Sequence, residues 1–319
     1  MSQNIARHPA GIDCTFSVIT PTYNRAGTLP RVHRSLSRQC FRAFEWVVVD
    51  DGSSDETASL VASWQAKSWF PIRYFHQENQ GKAAAFDRGV AEAWGQFTIP
   101  LDSDDACTPD ALQCLIDHWN DIPSEQKHHF AGVTSLCISQ NLEIVGDCFP
   151  NDVIDSDWLE MQYRYKIKGE KWGFHRTEIL REHQFPRITG YIPEEIVWNS
   201  IARTYRTRFI NKPLRIYYFA EPGRTDEIMQ NRDPARNARG LVYWHRSNLE
   251  HDLKWFLQAP AKFCASAIHF VRFSLHAHLQ SASKGMLPTH SWANLLIACM
   301  APLGVIAFVI DRIRRKTLA

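Results

Sequence analysis

The sequence predicts an α/β protein: a doubly wound, mostly parallel sheet flanked by helices, with a helical extension at the C-terminus. Three observations carry that prediction. Strand-like and helix-like segments alternate from Phe16 to Ser139. The strands "VVVD" and "FTIPL" are almost wholly apolar, as strands covered on both faces must be. Each of the first four strands runs into a polar, acidic or glycine-containing loop, the composition expected where such sheets bind ligands.

"FSVIT" (Phe16–Thr20) is a short β-branched run, and "TLPRVHRSLSRQ" after it has helical spacing. "EWVVVDD" (Glu45–Asp51) is the second strand, and "SSDETASLVASWQ" opens on good N-cap residues. "IRYFHQ" is a weaker strand, followed by the alanine-rich helix "GKAAAFDRGVAEAWG", closed by Gly95. "QFTIPLD" is the fourth strand. "TPDALQCLIDHW" begins with Thr108 as N-cap and Pro109 at the first helical position. "HFAGVTSLCIS" is one more strand. This alternation is the pattern of βαβ units. It divides the chain into a 1–235 domain and a helical 236–319 region.

Composition excludes some classes. A formal net charge of +2 over 319 residues gives no global field for nucleic acid. Hydrophobic residues at 45% and charged residues at 22% are ordinary for a globular chain. The eight cysteines show no C-x-x-C pair, so they read as reduced thiols of a cytoplasmic protein. No apolar leader precedes Cys14, so no secretory signal is expected.

The chemistry concentrates at the strand ends. "PTYNR" (Pro21–Arg25), "DDGSSD" (Asp50–Asp55), "NQGK" (Asn79–Lys82) and "DSDD" (Asp102–Asp105) all fall on one predicted rim. Carboxylates so close repel one another. Either they cap turns, or a hard divalent cation that prefers oxygen ligands draws them together. Their place after a central strand, opposite Asp50 and Asp51, favours metal or nucleotide binding. Lys82 follows Gly81 at a helix start, where a phosphate is favoured. No G-x-G-x-x-G follows the first strand, which disfavours a dinucleotide dehydrogenase.

The blocks "SVITPTYNRAGTLPRVHRSL", "EWVVVDDGSSDETASLV" and "ENQGKAAAFDRGVAEAWGQFTIPLDSDDACTPDAL", in this order, resemble those of family-2 glycosyltransferases with the GT-A fold. The resemblance implies transfer of a sugar from a nucleotide-diphosphate donor to an acceptor hydroxyl, with inversion and with Mg²⁺ or Mn²⁺. It implies that Pro21, Thr22 and Tyr23, with Arg25, line the nucleobase and ribose pocket. Asp50 or Asp51 would hydrogen-bond the base, and Lys82 would meet the phosphates. Asp102 and Ser103 would contact the nucleotide, and Asp104, with Asp102, the metal. One departure stands out: Phe86–Asp87 replaces the Arg-Asn of many members. Uridine is the base most often used in this family. The acceptor expected is a glycan or a lipid-linked glycan, in cell-surface polysaccharide synthesis. The alternatives are a non-catalytic scaffold of the same fold and a sugar-phosphate nucleotidyltransferase. The latter lacks support, because "TPTYNRAGT" has no glycine-rich basic loop.

Inverting transfer needs a base opposite the leaving group. The family places it in an acidic pair at a helix start, and "YIPEEIVWNSIARTYRTRF" offers Glu195, with Glu194 beside it. "KWGFHR" is expected to form the acceptor wall, with Trp172 stacking and His175 contacting metal or diphosphate. Arg224, in "EPGRTDE", is expected to fold over the diphosphate. The apolar run Leu295–Ile310 falls short of the about 20 residues of a full span. With Arg312, Arg314, Arg315 and Lys316 after it, segment 291–310 reads either as a peripheral or re-entrant anchor at the inner face of the membrane or as a terminal helix hairpin packed on protein.

Overall fold

The computed structural model describes residues 14–188, 190–219, 234–278 and 287–317. The described residues up to Phe185, together with Val197–Phe219, form one compact unit. Those within Pro186–Ile196 and beyond 220 form a second.

The first unit is built on a nine-stranded sheet. Its strands are β1 (Phe16–Thr22), β2 (Phe44–Asp50), β3 (Ile72–His76), β4 (Phe97–Pro100), β5 (Ala106–Cys107), β6 (Phe130–Ser139), β7 (Val153–Ser156), β8 (Lys171–Arg176) and β9 (Arg206–Tyr217). The order is β3-β2-β1-β4-β8-β6-β9-β5, with β7 on β9. The half β3-β2-β1-β4 is parallel throughout, as the alternation predicts. Register sets Thr22 beside Asp50 and Asp50 beside His76, so these strands end together. The other half is mixed. "KWGFHR" is strand β8, inserted antiparallel between β4 and β6.

Helices α1 (Leu29–Ser37), α2 (Thr57–Gln65), α3 (Lys82–Glu92) and α4 (Ala111–Asn120) cover the sheet. Leu29, Val32 and Leu36 of α1 and Leu112, Leu115 and Trp119 of α4 share one apolar core with Phe16, Val18 and Trp46. On the opposite face α3 sits so close that a Cβ on Gly89 would come within 2.4 Å of the Ile19 side chain. Shorter helices α5 (Trp158–Tyr163) and α6 (Thr177–Glu182) follow, then α7 (Glu195–Ala202).

The β6–β8 pairing depends on two glycines. A Cβ on Gly132 would lie 1.8 Å from the Phe174 carbonyl oxygen, and one on Gly173 would lie 1.9 Å from that of Val133. These obstacles are backbone and cannot swing away. Gly132→Ala should therefore lose about 3 kcal/mol or more in urea unfolding. Gly27→Ala, whose Cβ meets nothing within 4 Å, should be close to neutral.

The second unit is helical: α8 (Ala238–His251), α9 (Pro260–His278) and α10 (Ser291–Thr317). The last runs unbroken through Pro302. Gly304 lets α10 approach α9, since a Cβ there would lie 2.6 Å from Val271 Cβ. Arg272 donates two hydrogen bonds of 2.6 Å to Asp311, which also lies 3.0 Å from His276 Nε2. One face of α10 is buried at Ala293 and Ile297, while Trp292, Leu295, Leu303, Ile306 and Ile310 are exposed. The eight cysteines are all free.

His245 is buried beside Ser266. Burial, with His269 and Arg272 nearby, pushes it down to about 3. An unfolded histidine takes a proton near pH 6.5, whereas this one stays neutral in the fold, so stability is full above pH 6.5 and falls as pH drops towards 3. At pH 4.5 the deficit is about 2–3 kcal/mol. His245→Gln keeps a hydrogen-bonding side chain and removes the titration. Denaturation at pH 7 and pH 4.5 should show a smaller acid loss for this variant than for wild type.

Candidate active site at the strand ends

The carboxyl ends of β1, β2, β3 and β4 carry the predicted loops to one rim. Ladder-like bonds continue past the strands: Asp51 N donates to Thr22 O at 2.8 Å, Gln77 N to Asp50 O at 2.9 Å, and Leu101 N to Ile19 O at 2.9 Å. The loops are then tied to each other. Asn24, at φ 52°, accepts from Ser54 N and donates its backbone N–H to Ser53 Oγ, both at 2.8 Å. Asp55 accepts from Ala26 N at 2.9 Å and from Thr57.

Asp50 and Asp51 are buried and act first as loop organisers. Asp50 accepts from Ser53 N at 2.8 Å and from the Tyr74 hydroxyl at 2.6 Å. Asp51 accepts from Gln77 Nε2, Gln80 N and Gly81 N at 2.7–2.9 Å. It thereby fixes the start of α3, where Gly81 adopts φ 92°. An ionised carboxylate offers about four acceptor positions, so Asp50 keeps more capacity for a further donor than Asp51.

Pro21 and Thr22 are buried at the end of β1, and Tyr23 beside them is exposed. The Thr22 hydroxyl is buried and has no hydrogen-bond partner among the described residues. Buried polar atoms are normally paired, so this orphan matches a site that a bound polar molecule completes. Arg25 is half-buried, and its carbonyl accepts from Thr28 N and Leu29 N at the start of α1.

The DSDD turn holds three different carboxylates. Asp102 accepts from Lys82 Nζ at 2.7 Å and from Arg215 Nη2 at 2.6 Å. Burial raises its carboxyl, but Lys82 and Arg215 outweigh burial and hold it well below the usual carboxylate range. Asp105 is 1% exposed and takes the Arg215 fork through Nε at 2.7 Å and through Nη2, while Tyr218 N donates to its other oxygen at 3.0 Å. Its burial, opposed by Arg215, leaves it raised to about 6. Asp104 differs. Its backbone oxygen accepts from Arg31 Nη1 at 2.5 Å, but its half-buried carboxylate has no partner among the described residues. Ser103 is buried inside the turn.

Arg215, Arg31 and Tyr218 were not legible from the sequence. Arg215 comes from β9, 110 positions from Asp105. The Arg31 guanidinium lies 3.6 Å over the Tyr218 ring, which closes the turn from the other side.

Two expectations are corrected. Trp172 is 2% exposed, and its indole N–H donates to Pro100 O at 2.6 Å, so the ring is core and has no open face for stacking. His175 pairs with Thr98 in mid-sheet rather than at the rim. It stacks on Trp198 with centroids 5.0 Å apart, and burial, with His183, pushes it down to about 4. Phe86 is likewise buried, edge-on to Phe185 and Trp198, and Asp87 accepts from Phe185 N at 3.1 Å. That packing accounts for the departure at these two positions. Glu195 is the first residue of α7, and Glu194 immediately precedes it. Arg224 lies outside the described residues.

Among the described residues no three His, Cys, Asp or Glu side chains are grouped to hold a metal alone. Mg²⁺ and its analogues commonly bind through one or two carboxylates, with water and phosphate oxygens completing the shell. The open carboxylate of Asp104, with Asp102 beside it, fits that chemistry.

Residues 17–126 match the family model for glycosyl transferase family 2. Among curated proteins, the chain is 26% identical over 219 residues to YibD, an uncharacterised glycosyltransferase of Escherichia coli, covering 63% of this chain and 60% of that protein. It is 29% identical over 206 residues to a GalNAc(5)-diNAcBac-PP-undecaprenol β-1,3-glucosyltransferase of Campylobacter jejuni, covering 63% of each. The chain thus spans under two thirds of these relatives. The fold matches residues 1–349 of TarS from Staphylococcus aureus, solved with UDP-GlcNAc, at TM-score 0.63 and 18% identity, covering 95% of this chain and 92% of that one. It also matches the mannosyltransferase PcManGT of Pyrobaculum calidifontis, solved with GDP-Man and Mn²⁺, at TM-score 0.56 and 19% identity, covering 97% and 90%. The architecture is therefore the GT-A fold, and residues 17–126, about a third of the chain, are similar to the family-2 glycosyltransferases.

Proposed function

We propose that the protein is an inverting, metal-dependent glycosyltransferase that moves a sugar from a nucleotide diphosphate to a hydroxyl of a glycan or lipid-linked acceptor. The observation that carries the reading is the rim itself. Four strand ends of a family-2 segment bring an orphan Thr22 hydroxyl, Asp50, Lys82, Asp102 and the open Asp104 carboxylate to one edge. The fold-mates holding UDP-GlcNAc and GDP-Man with Mn²⁺ support a nucleotide-sugar donor there. The acceptor class rests on the Campylobacter relative, whose named acceptor is carried on undecaprenol.

In this reading Tyr23 stacks on the base, while Asp50 and Thr22 hydrogen-bond base and ribose. Lys82 meets the phosphates at the N-terminus of α3, where the helix dipole adds to its charge. Asp104 and Asp102 hold Mg²⁺ or Mn²⁺, which when bound neutralises charge developing on the leaving diphosphate. The acceptor oxygen forms a bond to the anomeric carbon as the bond to the diphosphate oxygen breaks. Glu195 takes the acceptor proton, Glu194 being the neighbouring alternative. The catalytic role belongs to 1–235, with Arg224 as a diphosphate contact.

The 236–319 region is read as a membrane anchor. Ser291–Arg314 is long and apolar enough to cross a membrane, and Arg312 and Arg314 at its end are exposed. The Asp311–Arg272 and Gly304 contacts hold α10 on α9, which favours lying on the cytoplasmic surface over spanning. Flotation with anionic vesicles should carry the protein, and Leu303→Glu with Ile306→Glu should release it.

The activity is tested by incubating the full chain with UDP- and GDP-sugars and Mn²⁺ and measuring nucleoside diphosphate release. Release from one donor supports transferase chemistry. No release from any donor would favour a non-catalytic scaffold.

A further inference from the structure

The reading of the rim as a donor site leaves Arg215 without a role, although it is the most heavily engaged cation there. Its exposure is 7%, and one guanidinium bonds both Asp102 and Asp105. Resting on that reading, we infer that Arg215 is the positioning residue of the metal site: it occupies Asp105 and one oxygen of Asp102, so that Asp104 presents the open carboxylate.

Asp102, Asp104 and Asp105 bring three negative groups into one turn, and Lys82, Arg215 and Arg31 bring three positive ones to it. The apo turn is thus balanced without a metal. Of the three acids, Asp105 is buried under the fork of Arg215, and Tyr218 N takes its other oxygen. It is closed to a metal. Asp102 has Arg215 on one oxygen and the more exposed Lys82 on the other. The Arg215 contact is buried and bidentate across two acids, while the Lys82 side chain is 55% exposed. Lys82 is therefore the cation that exchanges, moving to the phosphates and releasing one Asp102 oxygen. Arg215 stays and keeps the turn in register while the charge pattern changes. A planar fork can span two carboxylates in this way, whereas an ammonium cannot.

Removing Arg215 alone would leave Asp105 buried and unpaired, which is strongly destabilising. The test therefore uses a neutral pair, Arg215→Gln with Asp105→Asn, and separately the charge-keeping Arg215→Lys. Circular dichroism and thermal melting establish folding. Calorimetry then measures UDP and GDP affinity with Mn²⁺ and with EDTA. The inference predicts that folded variants lose at least tenfold in affinity with Mn²⁺, while affinity in EDTA is unchanged. The double variant should lose the most. Variants that bind the Mn²⁺ complex as wild type does would overturn the inference, since Arg215 would then only neutralise Asp105. A wild-type chain that binds neither nucleotide would instead overturn the donor-site reading, and this inference with it.

Discussion

Asp104→Ala should reduce donor turnover by at least about a hundredfold while leaving the fold intact, on the scale of losing one charge-stabilising contact to a leaving group. The two halves of that expectation come from one observation. The Asp104 carboxylate bonds to nothing among the described residues, so its removal breaks no contact. What Arg31 holds is the Asp104 backbone oxygen, which alanine retains. Urea unfolding should therefore shift by no more than about 0.5 kcal/mol, as for an unpaired surface change. Asp105→Ala is the contrast. It strips the buried Arg215 fork of its main partner, and it should destabilise by about 3 kcal/mol or more. Donor turnover and urea midpoints measured on both variants separate a ligand from a brace.

Glu195→Gln should preserve nucleotide affinity and lower transfer by about 10²–10⁴-fold, the usual contribution of a positioned base. Glutamine keeps the size and hydrogen-bonding reach of the side chain but cannot take a proton. Glu195 is the first residue of α7. Glu194→Gln, one residue before the helix, should cost much less. Equal losses for the two variants, or a loss of binding in Glu195→Gln, would move the base elsewhere. Steady-state kinetics with calorimetry on the same samples decides it.

The parallel half of the sheet was legible because each strand and helix meets its neighbour in chain order. β1, β2 and β4 are short, largely apolar runs, and the helices between the strands show their apolar face in the spacing. The rim was legible for the same reason, since loops that follow such strands share an edge. The mixed half was not. "KWGFHR" has the composition of a wall, with one tryptophan, one histidine and charged ends, yet its partners are β4 and β6 on either side. Nothing local in six residues states that pairing. Its two neighbours come from far along the chain, and the clearance depends on Gly132 and Gly173. Trp172 and His175 were misplaced with it.

Within the site, the sequence showed which residue types gather but not what each does. Asp102, Asp104 and Asp105 read as equivalent acids in one string. The fold makes one a twice-paired bridge, one an open carboxylate and one a buried counter-ion. The difference is imposed by Arg215, which β9 brings to the turn from far along the chain. Asp50 and Asp51 likewise read as a pair, but Asp51 is spent on the loop that starts α3.

The central claim is that this rim binds a nucleotide diphosphate through a divalent metal. It is tested most directly by calorimetric titration of the full chain with UDP and with GDP, first with Mn²⁺ and then with EDTA. The account predicts saturable binding of one of the two nucleotides, weakened at least tenfold by EDTA. Binding of neither nucleotide by folded protein, or affinity for one of them that EDTA leaves unchanged, would contradict it.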